Sequence, residues 1–156
     1  MTTLTLGSAI PDLEIVSTGG KTLRLTDYQG KNIVLYFYPK DNTPGCTQEG
    51  RDFSDLNERF AALNTIIFGV SRDSIKMHEG FKCKQEFPFE LLSDPDETLC
   101  GLFDVIRMKS MYGKQVRGIE RSTFLFDSRG NLAREWRKVK VKGHAQEVLS
   151  AVETLI

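Results

Sequence analysis

The sequence predicts an α/β fold in which helices flank a mixed central β-sheet. Two continuous runs of apolar, β-branched and aromatic residues, 32–38 and 65–70, have the pattern of strands that are covered on both faces. A segment with apolar residues at helical spacing follows each run, and the chain closes with a hairpin and another helical segment. Strands that alternate with helices before a hairpin are typical of α/β proteins with a mixed sheet.

The first half of the chain alternates turn signals with apolar runs. Gly19-Gly20 separates two short strands, 13–16 and 22–25, which predicts an N-terminal β-hairpin. Pro39 ends the first buried strand. The next apolar residues recur at steps of three and four and predict a helix between 45 and 63; they are Phe53, Leu56, Phe60 and Leu63.

The second half repeats this alternation and then changes to a hairpin. Ser71 or Asp73 can cap a second helix, which Pro88 terminates. Residues 93–96, with a proline near the first helical position, open a third helix that runs through Phe103. The order β-α-β-α-β-α-β-β-α is compatible with a thioredoxin-like core. The remaining predicted elements are a short strand at 89–92, a hairpin at 122–126 and 132–139, and a C-terminal helix at 145–155.

Length and charge describe an ordinary globular protein. The 156 residues suit one domain over 1–156, and 21 Lys+Arg balance 21 Asp+Glu, so neither nucleic acid nor an anionic membrane is an expected partner. A local excess of Lys and Arg over 105–142 is interpreted as a solvated face. The sequence lacks a run of 18 apolar residues, and no basic region precedes an apolar run at the N-terminus. We therefore expect a cytoplasmic protein that does not enter a membrane.

The cysteines and histidines give little support for a metal or a disulfide framework. Cys46, Cys83 and Cys100 are an odd number, and no Cys-x-x-Cys occurs. His78 and His144 are the only histidines, and we expect structural or helix-capping roles for both. The sequence therefore predicts no metal and no cofactor.

Cys46 is the residue whose position points most directly to chemistry. Thr43 is a good N-cap and Pro44 a good first helical residue, so Cys46 becomes the third residue of a helix. Unpaired N–H groups and the positive end of the helix dipole favour a thiolate there. To keep a thiol about 90% ionised at neutral pH, the protein must stabilise the thiolate over the thiol by roughly 3.4 kcal/mol. Helix ends supply about 0.3–2 kcal/mol, so we expect a cation nearby. From spacing alone, both a nucleophile and a buried structural cysteine remain open.

A resemblance to a known family favours the nucleophile. Pro39-x-x-x-Thr43-x-x-Cys46 resembles the active-site signature of the peroxiredoxins, and residues 43–49 are similar to the bacterioferritin-comigratory, or peroxiredoxin Q, subgroup. The resemblance implies a thioredoxin-like fold, a thiol peroxidase and a monomer. Further similar blocks span nearly the whole chain, at 36–40, 69–74, 88–94, 121–125 and 140–145.

The resemblance also implies roles for individual residues. Cys46 corresponds to the peroxidatic cysteine, whose thiolate attacks a peroxide oxygen and becomes a sulfenic acid. Thr43 would accept a hydrogen bond from the peroxide, and Pro39 would shield the pocket from water. Arg121 would be the expected cation, stabilising the thiolate and the departing oxygen. Glu49 fits the subgroup pattern, and two interpretations stay open: it orients Arg121, or it faces solvent on the helix.

The second thiol of the reaction is less clearly marked. Many members of the subgroup carry a cysteine five residues after the first, where this chain has Arg51. Part of the subgroup has its resolving cysteine in the second helix, and Cys83 resembles that position. We therefore predict a resolving role for Cys83, while Cys100 and an external thiol stay open as alternatives. Cys100 lies in an apolar segment and is predicted to be an inert core residue.

The favoured function is a thioredoxin-recycled peroxidase acting on hydrogen peroxide and organic hydroperoxides. A one-cysteine peroxidase recycled by glutathione or another low-molecular-weight thiol is the alternative within that class. A thiol–disulfide oxidoreductase on the same fold would need the missing Cys-x-x-Cys. A non-catalytic interaction module would not need Pro39, Thr43, Cys46 and Arg121 together.

Overall fold

The computed structural model of the chain describes residues 4–155. The first three residues, which belong to the N-terminal segment where we expect no signal sequence, lie outside the described range. The strands are β1 (Glu14–Ser17), β2 (Lys21–Arg24), β3 (Asn32–Phe37), β4 (Thr65–Ser71), β5 (Glu90–Ser93), β6 (Ile106–Met111), β7 (Lys114–Ile119), β8 (Ser122–Phe126) and β9 (Leu132–Trp136). The helices are α1 (Pro44–Ala62), α2 (Ile75–Gln85), α3 (Thr98–Leu102) and α4 (His144–Glu153), with a short 3-10 helix at Leu25–Tyr28.

Seven strands form one mixed sheet in the order β2-β1-β5-β4-β3-β8-β9. The central strands β3, β4 and β5 are parallel, and β1, β8 and β9 add antiparallel pairings on the two sides. Strands β1 and β2 form the predicted N-terminal hairpin. The predicted α/β fold with a mixed sheet, flanking helices and a thioredoxin-like core is confirmed.

The sheet separates two hydrophobic layers. All six residues of β3 are buried, and successive residues contact opposite layers, as expected for a strand covered on both faces. Leu35 and Phe37 pack in the layer that contains α3. Val34 and Tyr36 pack in the layer formed by α1, α2 and α4. The layer with three helices is the one that contains Cys46.

Two predicted helix starts are wrong by a few residues. Ser74 caps α2 by accepting a hydrogen bond from the Met77 N–H at 3.2 Å, whereas the Ser71 hydroxyl donates to the Asp73 carboxylate at 2.7 Å. Helix α3 begins at Thr98 rather than near Pro95. The residue before α3, Glu97, has a left-handed φ of 60°, and the Asp94 carboxylate accepts the N–H groups of Leu99 and Cys100. Pro95 consequently lies in the turn that precedes the helix.

The hairpin β6–β7 was not predicted, because the basic charge of this segment obscures its strand pattern. Its turn consists of Tyr112 and Gly113, with φ of 54° and 77°. Two successive positive φ angles are typical of the two-residue turns that match the twist of a hairpin. Most described side chains of β7 are exposed, in agreement with the solvated face expected here. No helix within residues 4–155 combines the length and the apolar character that a membrane span needs.

Candidate functional site

The antiparallel pairing of β3 and β8 brings two distant segments together. Phe37, the last residue of β3, pairs with Ser122, the first residue of β8. The loop that follows β3 therefore lies beside Arg121, which directly precedes β8. That loop contains Pro39, which is partly buried, and leads into α1. Ligand sites in α/β sheets commonly lie at such carboxyl ends of strands.

Helix α1 begins as predicted. Thr43 is the N-cap with an extended backbone, Pro44 is the first helical residue, and Cys46 is the third. The Thr43 hydroxyl donates to the Lys40 carbonyl at 2.8 Å and makes no capping bond. Because that bond uses the hydroxyl proton, the oxygen keeps lone pairs that can accept a hydrogen bond from a ligand.

The Arg121 guanidinium bridges Cys46 and Glu49. Its Nη2 donates to the Cys46 Sγ over 3.5 Å, and its Nη1 donates to the Glu49 Oε1 over 2.6 Å. The Arg121 side chain is only 16% exposed, and Cys46 is 2% exposed. A β-carbon added at Gly45 would lie 3.2 Å from Nη2, so the missing side chain leaves room for the guanidinium. The cation expected beside Cys46 from the sequence is therefore in contact with the sulfur.

Glu49 faces this site and not the solvent. Its side chain is 1% exposed, so the solvent-facing interpretation is wrong. Burial raises the pKa of Glu49 to about 7, and the Arg121 charge offsets that effect only in part. The second oxygen, Oε2, has no hydrogen-bond partner within residues 4–155. One guanidinium thus serves two acidic groups, and a protonated Glu49 leaves more of its charge for the sulfur.

Aromatic rings enclose the inner side of the site. Tyr36 stacks on Phe53 with ring centroids 4.7 Å apart and on Tyr38 at 5.5 Å. Burial raises the pKa of Tyr36 well above its usual value, so its hydroxyl stays protonated. In this apolar surrounding, the attraction between Arg121 and an anionic sulfur is stronger than it would be in water.

The other two cysteines lie in contrasting places. Cys100 is fully buried in the layer on the α3 side, as predicted. Burial raises the pKa of its thiol well above the usual range, with a further contribution from Asp94. Cys83 is exposed on α2, whose buried side chains are His78 and Phe81. The structure therefore does not bring Cys83 into the site of Cys46.

Both histidines are buried and hydrogen-bonded. His144 lies at the start of α4 with its Nε2 2.7 Å from the Thr123 hydroxyl, and burial lowers its pKa to about 4. His78 belongs to a cluster with Asp41 and Asp73 whose potential ligand atoms lie within 4.8 Å of one another. These atoms already hydrogen-bond to protein groups, so the cluster is a hydrogen-bonded network rather than a metal centre. The sequence carries no signal for the contact between Asp41 and His78.

The chain matches one protein family and is similar to named proteins along most of its length. The AhpC/TSA family matches residues 6–135. The chain is 52% identical to peroxiredoxin Bcp of Bacillus subtilis over 153 residues, which covers 98% of each chain. It is 53% identical to peroxiredoxin Bcp of Xanthomonas campestris over 150 residues, 96% of this chain and 94% of that one.

Solved structures are similar over almost the entire length. The bacterioferritin comigratory protein of Xanthomonas campestris, studied for its alkyl peroxide reduction, superposes with a TM-score of 0.90 at 52% identity and covers 97% of both chains. A serine variant of peroxiredoxin Q from Xylella fastidiosa has a TM-score of 0.93 at 43% identity and covers 99% of both chains.

Proposed function

The chain belongs to the AhpC/TSA family and is a peroxidase of the peroxiredoxin Bcp/Q group, and on that premise we propose that Cys46 attacks the peroxide and Cys83 resolves the product. The observation that carries the proposal is the contact of Arg121 with both Cys46 and Glu49 at the start of α1. The substrates are hydrogen peroxide and organic hydroperoxides. The alkyl peroxide reduction studied in the Xanthomonas campestris relative supports the second class.

In the first step, the Cys46 thiolate attacks one oxygen of the peroxide bond. A sulfur–oxygen bond forms, the oxygen–oxygen bond breaks, and the departing alkoxide or hydroxide takes up a proton from solvent. The products are a Cys46 sulfenic acid and an alcohol or water. Arg121 stabilises the thiolate before attack and the charge on the departing oxygen during it.

Thr43 and Pro39 complete the site. The Thr43 hydroxyl donates its proton to the Lys40 carbonyl, so its oxygen is available as an acceptor. This oxygen accepts a hydrogen bond from the peroxide and holds the peroxide in line with Cys46. Pro39 is partly buried within the loop that leads into α1 and limits the access of water. Glu49 orients Arg121 through its 2.6 Å contact.

In the second step, the Cys83 thiol attacks the sulfenic sulfur. A sulfur–sulfur bond forms, the sulfur–oxygen bond breaks, and the hydroxyl leaves with the thiol proton as water. A disulfide needs Cα atoms about 4.4–6.8 Å apart. Cys46 is buried in the first turn of α1, whereas Cys83 faces solvent on another helix. Disulfide formation therefore requires local unfolding of the first turn of α1, part of α2, or both.

A dithiol protein of the thioredoxin type then reduces the disulfide and is itself oxidised. Local unfolding favours this step, because it presents the disulfide at the surface. We assign the protein to the cytoplasm as a monomer in which residues 1–156 form one domain.

The test is peroxide-dependent oxidation of NADPH coupled through thioredoxin and thioredoxin reductase. We expect turnover that needs every component and is lost in Cys83→Ser, whereas Cys100→Ser, a matched loss of a thiol outside the site, retains it. Turnover with glutathione but not with thioredoxin would favour the one-cysteine alternative. Absence of turnover with both reductants would reject the recycling scheme.

A further inference from the structure

Asp41 and His78 form a buried pair that connects the two segments carrying Cys46 and Cys83. Asp41 lies in the loop between β3 and α1, and His78 lies on α2. The His78 Nδ1 is 2.7 Å from the Asp41 Oδ2, and both side chains are fully buried. This contact joins elements that are 37 residues apart in the chain.

The hydrogen-bond partners around the pair determine how many protons it carries. The His78 Nε2 is 2.8 Å from the Leu92 carbonyl, which can only accept, so Nε2 carries a proton. Tyr38 donates its hydroxyl proton to the Asp41 Oδ1 at 2.7 Å. One further proton therefore lies between Nδ1 and Oδ2, whichever of the two atoms holds it. Loss of either side chain would leave the other buried without its partner, which is costly.

The pair includes one of the two buried side chains through which α2 packs on the rest of the protein. Only His78 and Phe81 of the eleven α2 residues are buried. On the other side, the Asp41 N–H donates to the Asp73 carboxylate at 2.8 Å, so the loop before α1 is fixed to the segment that enters α2. A helix held by so few buried side chains belongs to the parts of a protein that open at low cost.

We infer that Asp41 and His78 are positioning residues that make the Cys46 loop and the Cys83 helix open and close together. The inference rests on the proposed pairing of Cys46 with Cys83. While the pair is intact, both segments stay closed and the peroxide site is complete. When the pair separates, both segments open at the same time, and the sulfur atoms of Cys46 and Cys83 can then come within bonding distance.

The pair thereby controls a competition at the Cys46 sulfenic acid. In one branch, Cys83 attacks and gives a disulfide and water. In the other, a second peroxide oxidises the sulfenic acid to a sulfinic acid and is itself reduced to an alcohol or water. Opening favours the first branch, and the closed site favours the second. The ratio of sulfinic acid to disulfide at a fixed peroxide excess measures the balance.

Three variants separate this role from a general contribution to stability. His78→Phe keeps an aromatic ring but removes both hydrogen bonds. Asp41→Asn keeps them, because its amide can accept from Tyr38 and donate to the Nδ1 of a neutral His78. His144→Phe is the matched control, since it makes the same change at a buried histidine of α4, outside both segments.

The first readout is amide hydrogen exchange of the reduced full chain without peroxide. In His78→Phe we expect exchange at residues 39–46 and 75–85 to rise by the same factor, tenfold or more. Asp41→Asn should behave like the parent chain, and His144→Phe should not raise these two segments selectively. If His78→Phe does not fold, Asp41→Ala removes the same contact from the other side and replaces it. Opening of one segment without the other, or equal effects of the Phe and Asn variants, would overturn the inference.

The second readout is the ratio of sulfinic acid to disulfide, measured by mass spectrometry at rising peroxide. We expect it to fall at least fivefold in His78→Phe and to return towards the parent value in Asp41→Asn. An unchanged ratio in His78→Phe would overturn the inference. If no Cys46–Cys83 disulfide forms in the parent chain, the proposed pairing fails, and the exchange data alone then decide whether the two segments are coupled.

Discussion

The start of α1 and the last turn of α2 hold their cysteines in opposite ways. Cys46 is 2% exposed, contacts Arg121, and lies in the layer of aromatic side chains against the sheet. Cys83 faces solvent on a helix with two buried side chains, which ends at Glu86 in a left-handed conformation with φ of 56°. A thiolate that meets peroxide needs a fixed, enclosed site. A thiol that must travel to it needs a segment that detaches easily.

Replacing Cys46 is expected to have the largest effect on activity. Cys46→Ser removes the nucleophile, and peroxidase turnover should fall below a few per cent of the parent value. Cys100→Ser removes a thiol whose pKa burial raises well above the usual range, and it should leave activity largely intact. Steady-state peroxide consumption with matched protein concentrations checks both. Retention of substantial activity in Cys46→Ser would assign the nucleophile to another residue.

Arg121→Ala tests whether the guanidinium that contacts Cys46 contributes to the peroxide step. The guanidinium contacts the sulfur and is expected to stabilise the departing oxygen, so its loss should slow the first step by about 10²–10³-fold, or about 2.7–4 kcal/mol. The second-order rate of peroxide with the reduced enzyme, followed by stopped flow, gives this value. Cys83→Ser should leave the same rate unchanged. An unaltered rate in Arg121→Ala would remove Arg121 from the mechanism.

Two buried groups, Glu49 beside Cys46 and His144 at the start of α4, make the free energy of unfolding depend on pH. Burial raises the pKa of Glu49 from 4.5 to about 7, so between these values the folded state binds more protons and stability falls as pH rises. Burial lowers the pKa of His144 from 6.5 to about 4, so between these values the unfolded state binds more protons and stability rises with pH. Each group contributes a slope of up to about 1.4 kcal/mol per pH unit, and the two oppose each other between pH 4.5 and 6.5.

Glu49→Gln removes one of these slopes. Urea unfolding of this variant should then gain stability from pH 5 to 6.5, where the parent chain is nearly flat because the two slopes cancel. The slope is the readout, because the substitution also changes the absolute stability. Parallel pH profiles for the two proteins would show that Glu49 does not titrate in this window.

Alanine substitutions at two helical glycines should have the smallest effects on stability, and these effects should have opposite signs. A β-carbon at Gly50 of α1 would lie 2.3 Å from the ring of Phe87, so Gly50→Ala should cost about 1–3 kcal/mol through overpacking. At Gly80 of α2 nothing lies within 4 Å, so Gly80→Ala should stabilise the helix by about 1 kcal/mol. Denaturant unfolding checks the signs. Exchange within α2 should slow in Gly80→Ala, and faster exchange there would contradict a helix that opens locally.

The sequence was sufficient for the features that depend on local chemistry. The N-cap at Thr43 and the helical position of Cys46 follow from neighbouring residues, and the structure has both. Burial of Glu49 had a local signal as well, because it lies four residues before Phe53 on the inward stripe of α1. Its partner, Arg121, is 72 residues away, and only the pairing of β3 with β8 brings the two together.

Features that depend on tertiary packing could not be predicted. The contact of Asp41 with His78 arises from the order of the parallel strands β3, β4 and β5, which no local pattern encodes. At the start of α3, the proline signal at Pro95 is overridden because the Asp94 carboxylate accepts N–H groups farther along the chain. A capping side chain that reaches five or six residues ahead moves the helix start beyond what local propensity indicates.

Peptide mapping under non-reducing conditions shows which two cysteines pair during turnover. The reduced protein is treated with one equivalent of peroxide, alkylated, digested and analysed by mass spectrometry. We expect a linked pair of peptides that contain Cys46 and Cys83, together with a monomer on a non-reducing gel. A Cys46–Cys100 link, or only an intermolecular dimer, would contradict it.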